Sequence, residues 1–410
     1  MQKLRQYFFI ILLVIAVLLL GYNYVFRPFE FKPNNVLETE VIKDKKALNK
    51  PEIILESLTA QEKVMQMIAY PVVINPEFEQ FDSLENKKTG SGSAQVSVTN
   101  IDTQKIELTE EIKPGFFIIF GKGISALDAQ NTISNLKENY QVSNLAPLVA
   151  VDHEGGTVQR LSGEGFTKLD SWKEVCGVTV PERQAILKQT ARELKKAGID
   201  IVLGPVLDVG NNRVLKDRIC SIESYAIVAD RSMDYVTNFL EVGILPVLKH
   251  FPGIGLTQKD LHTAFDYVGV LENDVKLYKY VIDQVDRVGV MTSHVGVISQ
   301  DREIPCSVSP FCVSELNKAY PDVLVFTDAL EMSAAAYDRE NPRVPKDLTQ
   351  ISKEAVLAGN DVYLYGQGAS SEQLTQIMAE LTSEYNAKPQ FKSFVDKSVL
   401  KIIEYMQYEK

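Results

Sequence analysis

The chain has 410 residues, is 45% hydrophobic and carries a formal net charge of −11. That is enough apolar material for a large core, and an eight-fold α/β barrel, typically about 250 residues and past 400 with insertions, could account for nearly all of it. The acidic balance, with no long basic run, excludes nucleic acid as a partner, because phosphate binding needs a basic surface.

In chain order, the first signal is an apolar run. No residue from Gln6 to Phe26 is charged, and Phe8 to Leu20 is wholly apolar. Its length suits a bilayer crossing. No small-x-small site follows Leu18, and no cysteine follows the run, so an uncleaved anchor is expected rather than a signal peptide or a lipid attachment. Lys3 and Arg5 before the run favour a cytoplasmic N-terminus with the bulk of the chain outside. Residues 1–26 are therefore expected to form a cytoplasmic tip and transmembrane helix. Residues 27–50, polar and punctuated by proline, are expected to be a linker, and 51–410 a folded, extracytoplasmic domain, periplasmic or at the cell surface.

Thr59 followed three residues on by Glu62 has the pattern of a capping box at a helix start. Short apolar runs then recur at Gln66–Tyr70, Phe116–Phe120, Leu148–Val151, Ile199–Leu203, Leu245–Leu248, Val288–Thr292, Val323–Phe326 and Val362–Tyr365. Helix-like stretches lie between most of them, including Arg183–Ala197, Tyr225–Val242, Glu272–Val285 and Leu348–Ala358. Eight strands alternating with helices predict an α/β protein with a parallel sheet, and the number eight favours a closed (β/α)8 barrel of the TIM type. Residues 76–111 break the rhythm and read as a loop or hairpin decorating one end. The four cysteines, Cys176, Cys220, Cys306 and Cys312, lack the C-x-x-C spacing of zinc or redox motifs. Cys306 and Cys312 are close enough in sequence for a bridge, and four buried free thiols are an equal alternative.

All four histidines, His153, His250, His262 and His294, follow expected strands or lie in a loop just beyond one. So does Asp328, after Val323–Thr327. In such barrels the C-terminal strand ends form the active face. A carboxylate leaving a buried strand is costly unless paired or functional; the lesser alternative is that Asp328 caps a helix starting at Ala329. Asp152 has the same ambiguity.

The segment Lys249-His250-Phe251-Pro252-Gly253-Ile254-Gly255, followed by Asp260-Leu261-His262, resembles the signature of the family 3 glycoside hydrolases in their β-N-acetylhexosaminidase branch. Val151-Asp152-His153-Glu154-Gly155-Gly156 through Arg160 resembles that family's D-Q-E-G-G-R-V-Q-R block. Gly204–Val209 resembles its A-P-V-L-D-V block, Asp217-Arg218 its D-R-S-F, and Phe326–Met332 its nucleophile block. The ordered match runs from about Leu58 to Tyr365. His153, Thr157, Ile254, Ile219 and Cys220 depart from the pattern.

The resemblance implies a retaining glycosidase acting on terminal β-linked N-acetylglucosamine. It implies Asp328 as nucleophile and His262, steered by Asp260, as acid and base, a duty suited to a group titrating near neutrality. It implies Asp152, Arg160, Arg218, Lys249 and His250 as sugar-binding groups. No cofactor or metal is expected. The i, i+2 spacing of Asp260 and His262 fits a loop that closes over the substrate, a glycan of the cell envelope such as a peptidoglycan fragment. The competing readings are a family 3 β-glucosidase or β-xylosidase, a phosphorylase, and a decayed, membrane-anchored glycan-binding protein.

Overall fold

A computed structural model describes residues 50–74, 112–269, 272–298 and 303–408. The expected anchor, nearly all of the linker and the expected decoration at 76–111 lie outside these residues. Among the described residues, no helix is long and apolar enough to cross a membrane.

Eight short strands form the centre: β1 (Ile68–Val73), β2 (Phe116–Phe120), β3 (Leu148–Val151), β4 (Ile201–Val202), β5 (Leu245–Phe251), β6 (Gly289–Thr292), β7 (Leu324–Thr327) and β8 (Tyr363–Leu364). Each pairs in parallel with the next from β1 to β7, and β8 pairs with β1. A parallel bridge between Phe326 and Val362 links β7 to the start of β8. There the ladder is partly side chain: the Leu364 N–H donates to Thr327 Oγ1 at 3.0 Å. The result is a nearly closed parallel eight-stranded barrel, consistent with the TIM type. Strands covered on both faces read as unbroken apolar runs, which is why Phe-Phe-Ile-Ile-Phe in β2 and Leu-Val-Ala-Val in β3 were legible.

Helices fill the connections from β2 onward, at Ala126–Asn139, Val180–Ala197, Tyr225–Leu240, Glu272–Ile282, Pro310–Ala319 and Leu348–Ala358, with Ser371–Ala387 and Pro389–Tyr408 after β8. The capping box forms as read: Glu62 N–H donates to Thr59 Oγ1 and Thr59 N–H to Glu62 Oε2. The helix it opens, Ala60–Gln66, takes Gln66, so β1 starts two residues later than the apolar run suggested. A further helix, Lys50–Ser57, precedes it. All four cysteines are bridged, Cys176 to Cys220 and Cys306 to Cys312, so the alternative of free thiols does not hold. The first pairing, 44 residues apart, had no sequence signal.

Two buried aspartates stitch the bottom of the barrel by the same device. Asp200, just before β4, accepts the Val149 N–H of β3 at 2.9 Å and the Lys137 ammonium at 2.8 Å. Asp361, just before β8, accepts the Val325 N–H of β7 at 2.9 Å and the Lys401 ammonium at 2.7 Å. Each carboxylate extends a ladder and pins a helix. Removing one leaves an N–H without its acceptor and a partly buried lysine with a backbone carbonyl but no counter-charge, and breaking buried pairs is strongly destabilising. Asp361→Ala is therefore expected to cost about 3 kcal/mol in urea unfolding, with Asp361→Asn, which keeps an acceptor for Val325, costing less.

Candidate active site

A cavity of about 250 Å³ opens at the C-terminal strand ends, and Asp152, Arg160, Arg218, Lys249, His250, Asp260, His262 and Asp328 all line it. That is just under the usual range of ligand-sized clefts, about 300–1,000 Å³. Among the described residues, no group of three or more His, Cys, Asp or Glu has the arrangement of a metal site.

One wall is a network of buried charge. Lys249 leaves β5 and places Nζ 2.8 Å from Asp152 Oδ1 and 2.6 Å from Glu154 Oε1. Arg218, from the long connection after β4, grips the same Glu154 through two bonds, Nε to Oε2 at 2.6 Å and Nη2 to Oε1 at 2.9 Å. Burial opposes ionisation of Glu154, but the two cations outweigh it and hold its pKa down to about 2. Burial likewise opposes the Lys249 charge, and Asp152 with Glu154 raise its pKa regardless. Arg160 approaches Asp152 at 3.8 Å and lies over the Phe120 ring. His250 Nδ1 sits 2.7 Å from Asp208 Oδ2. A carboxylate only accepts, so Nδ1 carries the proton, and Nε2 faces the Arg218 Nη2 at 3.4 Å as acceptor.

Glu154 and Asp208 were not singled out from sequence, though both lay in view. Each is a carboxylate just beyond a buried apolar run, the signal that drew attention to Asp328. Asp208 also accepts the Ile254 N–H at 2.7 Å and so ties the start of the next loop to His250. Ile254 carries no polar group but lines the cavity.

The opposite wall is the loop between β5 and the helix Glu272–Ile282. It is non-helical at Asp260 and His262, as the spacing required. His262 Nδ1 lies 2.8 Å from Asp260 Oδ1, which also accepts the His262 N–H at 3.0 Å. Nδ1 therefore holds its proton toward Asp260, leaving Nε2 to exchange one. The imidazole is 62% exposed, in contrast to the buried Lys249, Glu154 and His250 of the facing wall.

The loop is nonetheless anchored. Asp266 accepts the Gln258 and Lys259 N–H groups at its base. Ser333 and Ala334 donate N–H to the His262 and Leu261 carbonyls, and Phe265 stacks on Tyr337 at 4.0 Å. Asn212 bridges to it, donating to the Ile254 carbonyl and to Thr257 Oγ1. Underneath, Leu215, Ile254, Leu261, Val295 and Met332 form a second small core, distinct from that of the barrel.

Asp328 directly follows β7. Its N–H donates to the Thr292 carbonyl at 2.9 Å, and its Oδ1 accepts the Ala329 N–H at 2.8 Å. Burial opposes its charge, but His250, His294 and His262 together hold its pKa below the usual carboxylate value. It is ionised at neutral pH. His294 is fully buried and stands behind it: Nε2–H donates to the Ala329 carbonyl at 2.9 Å, and Nδ1 accepts from Ser307 at 2.7 Å. Burial lowers its pKa, so it is neutral, and it braces the turn that carries Asp328. His153 is also buried, pushed down to about 3 by desolvation, with neither ring nitrogen hydrogen-bonded. Of the four histidines only His250 and His262 line the cavity.

Behind Asp208 lies a further carboxyl, Asp274, which accepts the Tyr225 hydroxyl at 3.0 Å. Burial first, then the charge on Asp208, push its pKa up to about 6. An acid with a raised native pKa contributes stability that is fully present below the ordinary value of 3.8 and is lost as pH rises through about 6. Asp274→Asn removes that loss while keeping an acceptor for Tyr225. It is expected to melt about 1–3 °C above the wild type at pH 8, and at or below it at pH 4, in paired thermal melts.

Comparison with known proteins gives a consistent result. The model of the glycosyl hydrolase family 3 N-terminal domain matches residues 59–403. A "Beta-hexosaminidase" of Idiomarina loihiensis is 29% identical over 284 residues, covering 64% of this chain and 82% of its own length. A "Beta-hexosaminidase" of Methylococcus capsulatus is 31% identical over 239 residues, covering 54% of this chain and 68% of its own. The crystal structure of a β-N-acetylhexosaminidase from Beutenbergia cavernae superposes with a TM-score of 0.69 at 21% identity, over 85% of this chain and 99% of that one.

Proposed function

The chain belongs to glycosyl hydrolase family 3, and from that premise we propose that it is a β-N-acetylhexosaminidase that removes terminal β-linked N-acetylglucosamine with retention of configuration. The observation that carries this reading is the pairing of an ionised Asp328 in the cavity with an exposed Asp260–His262 dyad lining the same space. Asp328 attacks the anomeric carbon and a glycosyl–enzyme forms. His262 Nε2 delivers a proton to the departing oxygen, and Asp260 stabilises the imidazolium ring through Nδ1. The neutral imidazole then takes a proton from water, which attacks the anomeric carbon and releases the sugar.

Asp152, Lys249, Arg218, Arg160 and His250 are the groups that hold the sugar. Their bonds to one another leave them fixed before the ligand arrives, so little side-chain entropy is lost on binding. Support for a site of action outside the cytoplasm comes from the two disulfides, which persist in oxidising compartments, and from the apolar run at Phe8–Leu20, read as a membrane anchor. Cell-envelope glycans or peptidoglycan fragments are the substrates such a location would present.

Two variants test the assignment on an aryl β-N-acetylglucosaminide. Asp328→Asn is expected to abolish turnover while leaving N-acetylglucosamine binding measurable by calorimetry; full turnover in this variant sinks the nucleophile role. His262→Ala is expected to lower kcat by roughly 10²–10⁴-fold. A change confined to KM would assign His262 to binding instead. Aryl glucoside and xyloside run in parallel report the sugar preference.

A further inference from the structure

Arg218 is a sugar-wall residue that neither a strand nor a long helix carries. Between β4 and the helix Tyr225–Leu240 the chain holds only a three-residue 3-10 turn, Lys216–Arg218. Lys216 takes a left-handed φ of 45° there. Before the turn, Asn212 Oδ1 accepts the Val214 and Leu215 N–H groups at 2.7 and 3.0 Å. After it, Cys220 is bonded to Cys176. Cys176 belongs to the helix Trp172–Gly177, itself fixed by Ser171–Glu174 capping and by the Trp172 indole donating to the Val206 carbonyl at 3.1 Å. Arg218 is thus two residues from a covalent tie to an independently anchored helix. Cys220 also stands where the family's D-R-S-F pattern has phenylalanine, so this tie belongs to the present chain and not to that pattern.

We propose that Cys176 and Cys220 are positioning residues for Arg218, and that their disulfide sets sugar affinity rather than the rate of bond breaking. The proposal rests on Arg218 being a sugar-contacting group, as read above. The Glu154 carboxylate has a second hold, on Lys249 at 2.6 Å, that does not run through Arg218. What the tie fixes is therefore the guanidinium. Without it, the turn keeps the Asn212 bonds, the buried side chains of Leu215 and Ile219 and the two bonds from Arg218 to Glu154, with no covalent hold on the backbone that carries the guanidinium. Asp328 is carried by β7, and the His262 loop meets this segment at Asn212 and Leu215, which lie before the turn and away from the bridge.

The test compares the full chain with a Cys176→Ser/Cys220→Ser variant, in wild-type and Arg218→Ala backgrounds. Wild-type protein treated with a trialkylphosphine is a second route to the open form; the phosphine takes oxygen from water and each cysteine sulfur takes a proton. On an aryl β-N-acetylglucosaminide, KM is expected to rise about tenfold with kcat changed less than about twofold and the pH profile unmoved. In the Arg218→Ala background, loss of the disulfide is expected to add nothing further to KM. An equal further rise there, or a fall in kcat with KM unchanged, overturns the proposal.

A readout independent of turnover separates this from failure of the hydrolase reading. Arg213 and Lys216 are exposed in the same segment, and tryptic cleavage after them, mapped by mass spectrometry, is expected to quicken at least fivefold when the bridge is absent. Unchanged cleavage overturns the proposal even if no substrate is ever turned over. Cleavage that quickens in a protein inactive on every sugar leaves the positioning role standing and sinks the hydrolase.

Discussion

Lys249 is a cation with 3% of its side chain open to water, set between two carboxylates of which one, Glu154, is still more enclosed. Neither charge could be stripped of solvent alone, since the desolvation penalty of a lone buried ion is several kcal/mol (about that order in real proteins). Together with Arg218 they make a closed set in which each cation touches a carboxylate and Glu154 touches two cations. Several features of the upper barrel follow. β5 must present Lys249 and His250 side by side at its end, which its fully buried seven residues do. The ribbon after β3 must turn at once to bring Asp152 and Glu154 to the same point. The connection after β4 must return Arg218 across the top. A single neutralised member would leave the others paying for their own burial.

The sequence made the barrel legible because its strands are short, wholly apolar and evenly spaced. It misplaced the edges where caps compete with strands. Gln66 stands at the edge of the run Gln66–Tyr70 and reads with it, but the helix opened by the Thr59–Glu62 box extends through it. β4 is only Ile201–Val202, shorter at both ends than the run Ile199–Leu203. Among the functional positions, the eight chosen residues meet in one cavity, since each lies at the C-terminal end of a strand or in the connection beyond one, and those ends converge. What escaped were residues that act on other residues. Asp208, Glu154 and Asn212 touch side chains and backbone contributed from 42 (Asp208 to His250) to 95 (Glu154 to Lys249) positions away, and no local pattern records such a partner. The same holds for Cys176 and Cys220. Histidine position was misleading for the converse reason: His153 and His294 stand at strand ends but turn into the packing, whereas His250, though also buried, and His262 line the cavity.

The nucleophile and the dyad solve opposite problems, and the architecture answers each separately. An attacking carboxylate must keep its charge in a place poor in water, so Asp328 is fixed at the end of a strand by backbone bonds and surrounded by imidazoles that favour its ionised form. An acid that later serves as base must exchange protons with water, so His262 lies exposed on a loop. Exposure ordinarily means loose placement, and a loosely placed acid is a poor catalyst. The second small core resolves the conflict. Leu261, the residue between Asp260 and His262, is buried in it beside Met332 from the segment after Asp328 and Leu215 from the arm of Arg218. The backbone bonds from Ser333 and Ala334 to the same loop reinforce that contact. An alternating in–out pattern over three residues thus sends one side chain inward for position and two outward for chemistry. The loop that holds the dyad and the segment that follows the nucleophile are then packed as one piece, so any closing movement over a substrate has to carry both.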